Sequence, residues 1–361
     1  MKRSSLFILT TLFNVIVASV SGFASDETSF IAPLVNESLL LDIANGNSSI
    51  IVGERGHVLI ASKVKITDHQ NHGLKLDDYK QVSVPTKATL TGVASFADLA
   101  WAVGHDASIL GSKDAGATWT LLNSAPELER PLLDIHFFDE KEGIAVGAYG
   151  LFYRSLDGGT TWQQEHHPSV LSDEDKDYLE SIKDDPSFYL EELSFISPHL
   201  NRLHSADGIL YLAGEAGLVA SSLDKGATWK RLALNYAGSF FDIATLPSGD
   251  IIAVGLRGNV FLLNQGKWKS IATCVTTSLN SVLIDGPSVF FVGNNGVVLK
   301  LDVKQLNSKQ LQISNSEGCR RHASISLVPT NFSDAISSAI VIKNAILVVT
   351  AGGIKTVDLG E

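Results

Sequence analysis

The sequence predicts an all-β, seven-bladed β-propeller with a short helical insertion between blades three and four. Three observations carry this reading. The pattern Ser-x-Asp-x-Gly-x-Thr-Trp occurs three times, at residues 112–119, 155–162 and 222–229. A short apolar strand ending in a small residue and glycine recurs at Val52-Gly53, Val103-Gly104, Val146-Gly147, Ala213-Gly214, Val254-Gly255 and Val292-Gly293, with Ala351-Gly352 as a weaker seventh copy. The three patterns hold their tryptophans, Trp119, Trp162 and Trp229, at a fixed offset of fifteen from that glycine. Repeats of about forty residues, each built from about four short strands, mark a propeller.

Within each pattern the residue types describe a tight hairpin. An Asp carboxylate accepts hydrogen bonds from turn amides, Gly takes the positive φ that other residues resist, and Trp opens the next strand with a large packing surface. The residues concerned are Ser112, Asp114, Gly116 and Trp119, then Ser155, Asp157, Gly159 and Trp162, then Ser222, Asp224, Gly226 and Trp229. The pattern resembles the Asp-box, or bacterial neuraminidase repeat, a hairpin turn of enzymatic and non-enzymatic propellers. That resemblance implies a structural role for all twelve.

The blades follow in order. Blade one begins near Ser38, its box has decayed, and Tyr79 stands where Trp would be. Blade two runs from about Ala88 to Trp119, and blade three from Leu132-Leu133-Asp134-Ile135 to Trp162. Blade four is expected to start at Leu193-Ser194-Phe195-Ile196 and to pass Trp229. Blade five spans Phe240 to about Thr273, with a degenerate box around Asn264 and Gly266. Blade six is expected over Leu279 to about Ser314, and blade seven from near Ala323. The last blade is then one strand short. Phe30-Ile31-Ala32-Pro33-Leu34 is the expected donor of that strand, closing the ring and removing two open edges.

Glu165 to Glu192 does not fit the repeat. It holds ten acidic residues against Lys176 and Lys183, a charge of about −8 within a chain of formal charge −11. Ser172 before Asp173-Glu174-Asp175 reads as a helix N-cap with an acidic first turn, and Asp185-Pro186 as a second helix start. An acidic chain is a poor match for nucleic acid, whose affinity comes mainly from phosphate neutralisation.

Residues 1–24 read as a secretory signal: Lys2 and Arg3, an apolar core from Leu6 to Val20, and Gly22-Phe23-Ala24 before Ser25. Residues 25–361 are then one propeller domain, in the periplasm or, in a photosynthetic organism, the thylakoid lumen. A retained membrane anchor is the other reading of the same stretch. Cys274 and Cys319 are the two cysteines. An even count in an exported chain permits a bridge, but spacing alone leaves a disulfide and two inert thiols both open. Neither has a Cys or His at metal-ligand spacing, so no metal and no small-molecule cofactor is expected.

Strand order assigns faces. The boxes join third to fourth strands, and the Val-Gly-x-x-Gly turns join second to third. Blade-to-blade connections share the face of the latter. One face therefore gathers Glu54, Arg55, His105, Asp106, Ala148, Tyr149, Glu215, Leu256, Arg257, Asn294 and Asn295 together with the acidic insertion, and it is the candidate partner-binding face. No catalytic residues are assigned. Arg55, Arg154, Arg202, Arg231 and Arg257 show no spacing that selects three to hold a carboxylate, as sialidases require, and Arg154 reads as a blade-surface residue. Adjacent His166 and His167 point to opposite sides of a strand and read as a solvated pair.

The unit from Gly143 to Trp162, Gly-Ile-Ala-Val-Gly-x-x-Gly-Leu-Phe-Tyr-Arg-Ser-x-Asp-Gly-Gly-x-Thr-Trp, is similar to the repeat of the photosystem II stability and assembly factor family. The resemblance covers residues 38–302. It implies an exported, non-catalytic propeller that holds a membrane protein or its assembly intermediate. The family's binding surface is associated with an arginine-rich patch, to which only Arg55 and Arg257 correspond here, and the acidic insertion is foreign to the family pattern. Two other readings stay open on the residues: an accessory subunit of an envelope transport system docking through the insertion, and a glycan-binding or sialidase-like glycoside hydrolase propeller.

Overall fold

The second strand of each blade is a nearly unbroken apolar run: Ser48–Gly53, Leu99–Gly104, Gly143–Gly147, Ile209–Gly214, Ile251–Gly255, Ser288–Gly293 and Ala345–Thr350. Such runs are buried on both faces. Their covers are the neighbouring blades, as where Ile50 and Val52 pack with Leu90, Val93 and Ala102. The chain is described by a computed structural model over residues 28–62, 79–306, 311–313 and 319–360. It forms seven antiparallel sheets around a channel, a seven-bladed β-propeller. The innermost strands are Leu40–Asn45, Leu90–Phe96, Leu132–Phe137, Leu200–Ala206, Phe240–Thr245, Leu279–Asp285 and Ile336–Ile342. Each packs beside the next, and the last packs beside the first, which closes the ring.

One local device repeats in every blade. The innermost strand carries a bulge that skips one residue: Leu41, Thr91, Leu133, Asn201, Phe241, Asn280 or Ser337. The bulge brings the start of the inner strand against the end of the second strand. A Cβ on Gly104 would lie 2.1 Å from the Thr89 carbonyl oxygen, so only glycine fits there. In blade seven, pairing with Ile336 gives this place to Thr350, not to the Ala351-Gly352 expected as the seventh marker.

The three Ser-x-Asp-x-Gly-x-Thr-Trp turns fold alike. The hydroxyls of Ser112, Ser155 and Ser222 accept from the amides of Gly116, Gly159 and Gly226 at 2.9, 2.8 and 2.7 Å. Asp114, Asp157 and Asp224 accept from the amides of Thr118, Thr161 and Thr228. Each turn seats on the preceding blade. Gly116 lies against Ile50, Gly159 against Trp101 and Gly226 against Ile144, and the Trp101 indole donates to the Gly158 carbonyl at 3.0 Å. The shortened turn of blade five, with Gln265 and Gly266, leaves instead a groove against blade four beside Tyr211 and Trp229. Tyr79 is buried immediately before the fourth strand of blade one, the place Trp119 holds in blade two.

Four expectations are corrected. Leu193–Ile196 is not the first strand of blade four but the end of a helix. Helix α1 covers Asp173–Ser181, capped by Ser172, and helix α2 covers Pro186–Ile196, capped by Asp185. The insertion therefore runs past Glu192, because Tyr189, Leu193 and Ile196 at helical spacing pack on Leu171, Leu179 and Ile182. Blade four starts at Leu200. Ile325–Val328 is the fourth strand of blade six, paired with Val298–Asp302, and blade seven starts at Ile336. The hairpin of Leu311–Ile313 and Arg320–His322 interrupts blade six and displaced that boundary. Finally, Phe30–Leu34 forms no strand and donates none to blade seven, which has three strands among the described residues. Gln81 holds this segment through the Ala32 amide and the Phe30 carbonyl, along the outer strand of blade one. Pro33 has no amide to offer a ladder, and a 3₁₀ turn follows at Val35–Glu37. Residues 1–24 and the decayed box of blade one within 63–78 lie outside the described residues. No helix among the described residues is long and apolar enough to cross a membrane.

Cys274 and Cys319 form a disulfide, with a Cα–Cα distance of 5.8 Å. It fastens the hairpin inside blade six to the exit of blade five, where the His322 amide also donates to the Ala272 carbonyl. The bridge constrains a 45-residue separation. Replacing both cysteines with serine is expected to lower the unfolding free energy by about 2–4 kcal/mol. Urea denaturation of both proteins, with and without reductant, checks this; reductant should move only the wild type.

Candidate binding face

In blades one to six the second strand passes to the third through a turn whose tip is left-handed. Arg55, Asp106, Tyr149, Ala216, Arg257 and Asn295 have φ between 51° and 59°. The residue before each tip anchors the turn, its amide donating to the carbonyl that precedes the inner strand; Glu54 to Leu39, His105 to Thr89, Glu215 to His199 and Asn294 to Ser278 are examples. Two of the predicted face residues are thus partly spent on their own turns: the Glu54 and Glu215 carboxylates accept from the Leu39 and His199 amides. Asn294 accepts from Asn280 at 2.8 Å. Arg55 is 80% exposed, with Glu54 3.9 Å away. Tyr149 meets His199 edge-on, and the Arg130 guanidinium lies over its ring at 5.2 Å. The predicted residues are spread over blades one to six and form no cluster. Arg55 and Arg257 stand on blades one and five.

What the ring of turns encloses was not anticipated. The bulged residue of every blade, with Arg202, lines a basin of about 240 Å³ at the channel mouth. Its rim alternates through the first six blades: Leu41, Leu133 and Phe241 are apolar, while Thr91, Asn201 and Asn280 are polar.

Beneath the rim, side chains tie each of the first six blades to the next. Asp42 accepts from the Val93 amide at 3.0 Å, Asp134 from Leu203 at 2.7 Å and Asp242 from Val282 at 2.8 Å. The intervening junctions use donors: Thr91 to the Leu132 carbonyl, Asn201 to Phe240 and Asn280 to Ile336. Arg202 neutralises the acids, with Asp134 at 3.3 Å, Asp42 at 3.5 Å and Asp242 at 3.8 Å. Its side chain is 21% exposed at the basin floor. Burial works against the Arg202 charge, yet the three carboxylates outweigh it and raise its pKa. Burial pushes the Asp134 carboxyl up to about 6 despite Arg202, and the Asp42 charge adds to the rise. His136, two residues further along the same strand, is lowered to about 4 by burial and by His204.

Blade three and the insertion meet at a second polar cluster. Arg154 is not a free surface residue; its guanidinium meets Glu165 at 2.7 Å and the Lys225 carbonyl at 3.0 Å, linking blades three and four. Nor is His167 solvated. It contacts Glu165 at 3.1 Å, leans on Phe152, and its pKa is lowered chiefly by burial. Among the described residues no three His, Cys, Asp or Glu side chains gather as a metal site would require.

No protein-family profile matches the chain. It is 33% identical over 82 residues to vacuolar protein sorting/targeting protein 10 of Sordaria macrospora, matching 23% of this chain and 5% of that one. It is 26% identical over 166 residues to the chloroplastic photosystem II stability/assembly factor HCF136 of Arabidopsis thaliana, matching 44% of this chain and 39% of that one. The chain thus spans well under half the length of either relative. Among solved structures, YCF48 from Cyanidioschyzon merolae superposes with a TM-score of 0.61 at 15% identity, over 90% of this chain and 97% of that one. YCF48 bound to D1 peptide does so with 0.59 at 12%, over 93% and 97%. At these identities the structural likeness establishes the fold.

A signal for the buried acids does exist in the sequence. Leu41-Asp42-Ile43, Leu133-Asp134-Ile135 and Phe241-Asp242-Ile243 place Asp at the same point of blades one, three and five. Arg202 has no such signature, since its value depends on three other blades. A carboxyl whose pKa rises on folding stabilises the fold below its ordinary pKa, and that contribution is lost as pH climbs through about 6. Relative to Asp134→Asn, the wild type should lose about 2 kcal/mol between pH 4 and pH 7. Urea midpoints across that range test it. A constant difference would mean that Asp134 titrates as an ordinary carboxylate.

Proposed function

We propose that this protein is a non-catalytic, exported propeller scaffold that holds a segment of a membrane protein or of its assembly intermediate at the channel mouth. The observation that carries the reading is the basin rimmed by one bulged residue from every blade. Alternating apolar and polar rim residues suit an extended polypeptide, which offers side chains to the former and backbone groups to the latter. A rigid ring costs little ordering on binding, so a modest contact area suffices.

The partner class rests on likeness. HCF136 is a photosystem II stability/assembly factor, and YCF48 is known with a D1 peptide bound. The Cys274–Cys319 bridge suits an oxidising compartment, in keeping with export by residues 1–24.

The test is capture. Tagged protein is crosslinked in its native cells, solubilised and purified, beside a Leu133→Asp/Phe241→Asp variant and an unrelated propeller. The expected result is one membrane protein enriched by the wild type and reduced at least tenfold by the variant. Equal recovery by both would remove the basin as the site, and recovery of no membrane protein would remove the scaffold reading.

A further inference from the structure

Helix α2 has two faces of opposite fate. Tyr189, Leu193 and Ile196 turn inward, onto Leu171, Leu179 and Ile182. A second face carries Phe188, Glu191, Glu192 and Phe195, spaced i, i+3, i+4 and i+7, so they form one stripe. Phe188 is 41% and Phe195 65% exposed. Single exposed apolar residues are ordinary, but these two phenylalanines stand one heptad apart on one stripe and lie outside the buried cluster that holds the helices together among the described residues. Tyr178 of α1, 40% exposed, borders the stripe and donates its hydroxyl to Glu192 at 2.7 Å. The aromatic surface is therefore interleaved with carboxylates, and it stands in the segment that carries about −8 of the chain's charge. Both lysines of that segment are already paired, Lys176 with Asp173 and Lys183 with Glu180.

From this we infer that the outer face of α2, with Tyr178, is a docking surface for a basic amphipathic segment of a partner protein, one with apolar side chains flanked by Lys or Arg. Charge decides the occupant. The carboxylates repel nucleic acid and anionic membrane and disfavour a second copy of this acidic chain, while they attract and orient a cationic segment. The phenylalanines then supply the anchor that charge alone lacks.

The platform is fixed to the channel mouth. α2 packs on the Ala148–Gly150 turn, and the Arg130 guanidinium, which lies over Tyr149, reaches Ser194 of α2 at 3.5 Å. A polypeptide held in the basin could thus continue onto α2 between blades three and four. The inference rests on the protein-binding reading above, and its test is separate from that one.

The probe is an 18-residue fluorescent peptide of lysine and leucine patterned as an amphipathic helix, with a second peptide in which every leucine is serine. Anisotropy is read against wild type, Phe188→Ser/Phe195→Ser, Glu191→Gln/Glu192→Gln and the basin variant Leu133→Asp/Phe241→Asp. The expected result is binding of the lysine/leucine peptide by the wild type and the basin variant. The phenylalanine pair should weaken it at least tenfold, and the glutamine pair should weaken it with a shallower salt dependence. Unchanged melting temperatures confirm that the exposed substitutions leave the fold intact. Equal affinity for the serine peptide, equal binding by the phenylalanine variant, or no binding at all would overturn the proposal. So would self-association of the wild type lost in the same variants, which would assign the face to a second copy.

Discussion

The ring depends on how its blades are joined at the channel. Apolar packing between sheets is strong but non-directional, and it does not by itself fix where one inner strand stands against the next. Direction comes from six side-chain bonds near the mouth, in which an Asp accepting an amide alternates with a Thr or Asn donating to a carbonyl. Each bond satisfies a backbone group of the neighbouring inner strand close to its bulge. Three buried acids would repel one another, and Arg202 is the counter-charge that permits them. Removing one member of such a network is costly because the charges left behind are stranded in a poorly solvated place.

This arrangement separates two kinds of residue that a sequence presents alike. The Ser-x-Asp-x-Gly-x-Thr-Trp turns lie on the face away from the basin and knit the outer parts of the blades. The bulges and the tips lie on the other face, where Thr91, Asn201 and Asn280 join blades while the bulged Leu41, Leu133 and Phe241 only line the basin. The apolar rim residues can therefore change the chemistry of the basin while the bonds that fix the ring stay in place.

Much of the fold was legible because propeller strands are short and repetitive. Unbroken apolar runs ending in glycine marked six second strands, and the glycine is dictated by contact, as Gly104 against Thr89 shows. Legibility failed where a local signal had two physical meanings. Leu193-Ser194-Phe195-Ile196 suits a strand by composition and a helix by its spacing to Tyr189, and the packing of Leu171 and Leu179 decides for the helix. Thr350 does the work of a glycine in blade seven, so the marker slid by two residues. The site was less legible than the fold. The turn tips could be placed from strand order alone, whereas Arg202 matters only because Asp42, Asp134 and Asp242 converge on it from three other blades. No spacing along the chain encodes that convergence.

The three-stranded seventh blade has a consequence for how this molecule behaves in a crowd. With no fourth strand among the described residues, Gly353–Asp358 is the outermost strand of its sheet. An outermost strand presents unpaired amides and carbonyls, the template on which chains stack into aggregates. Here Lys355 is turned to Asp334 at the strand's flank, and Asp358 closes its far end. Charged side chains along this edge disfavour pairing with an identical strand, which is one way a sheet edge is kept from templating another chain.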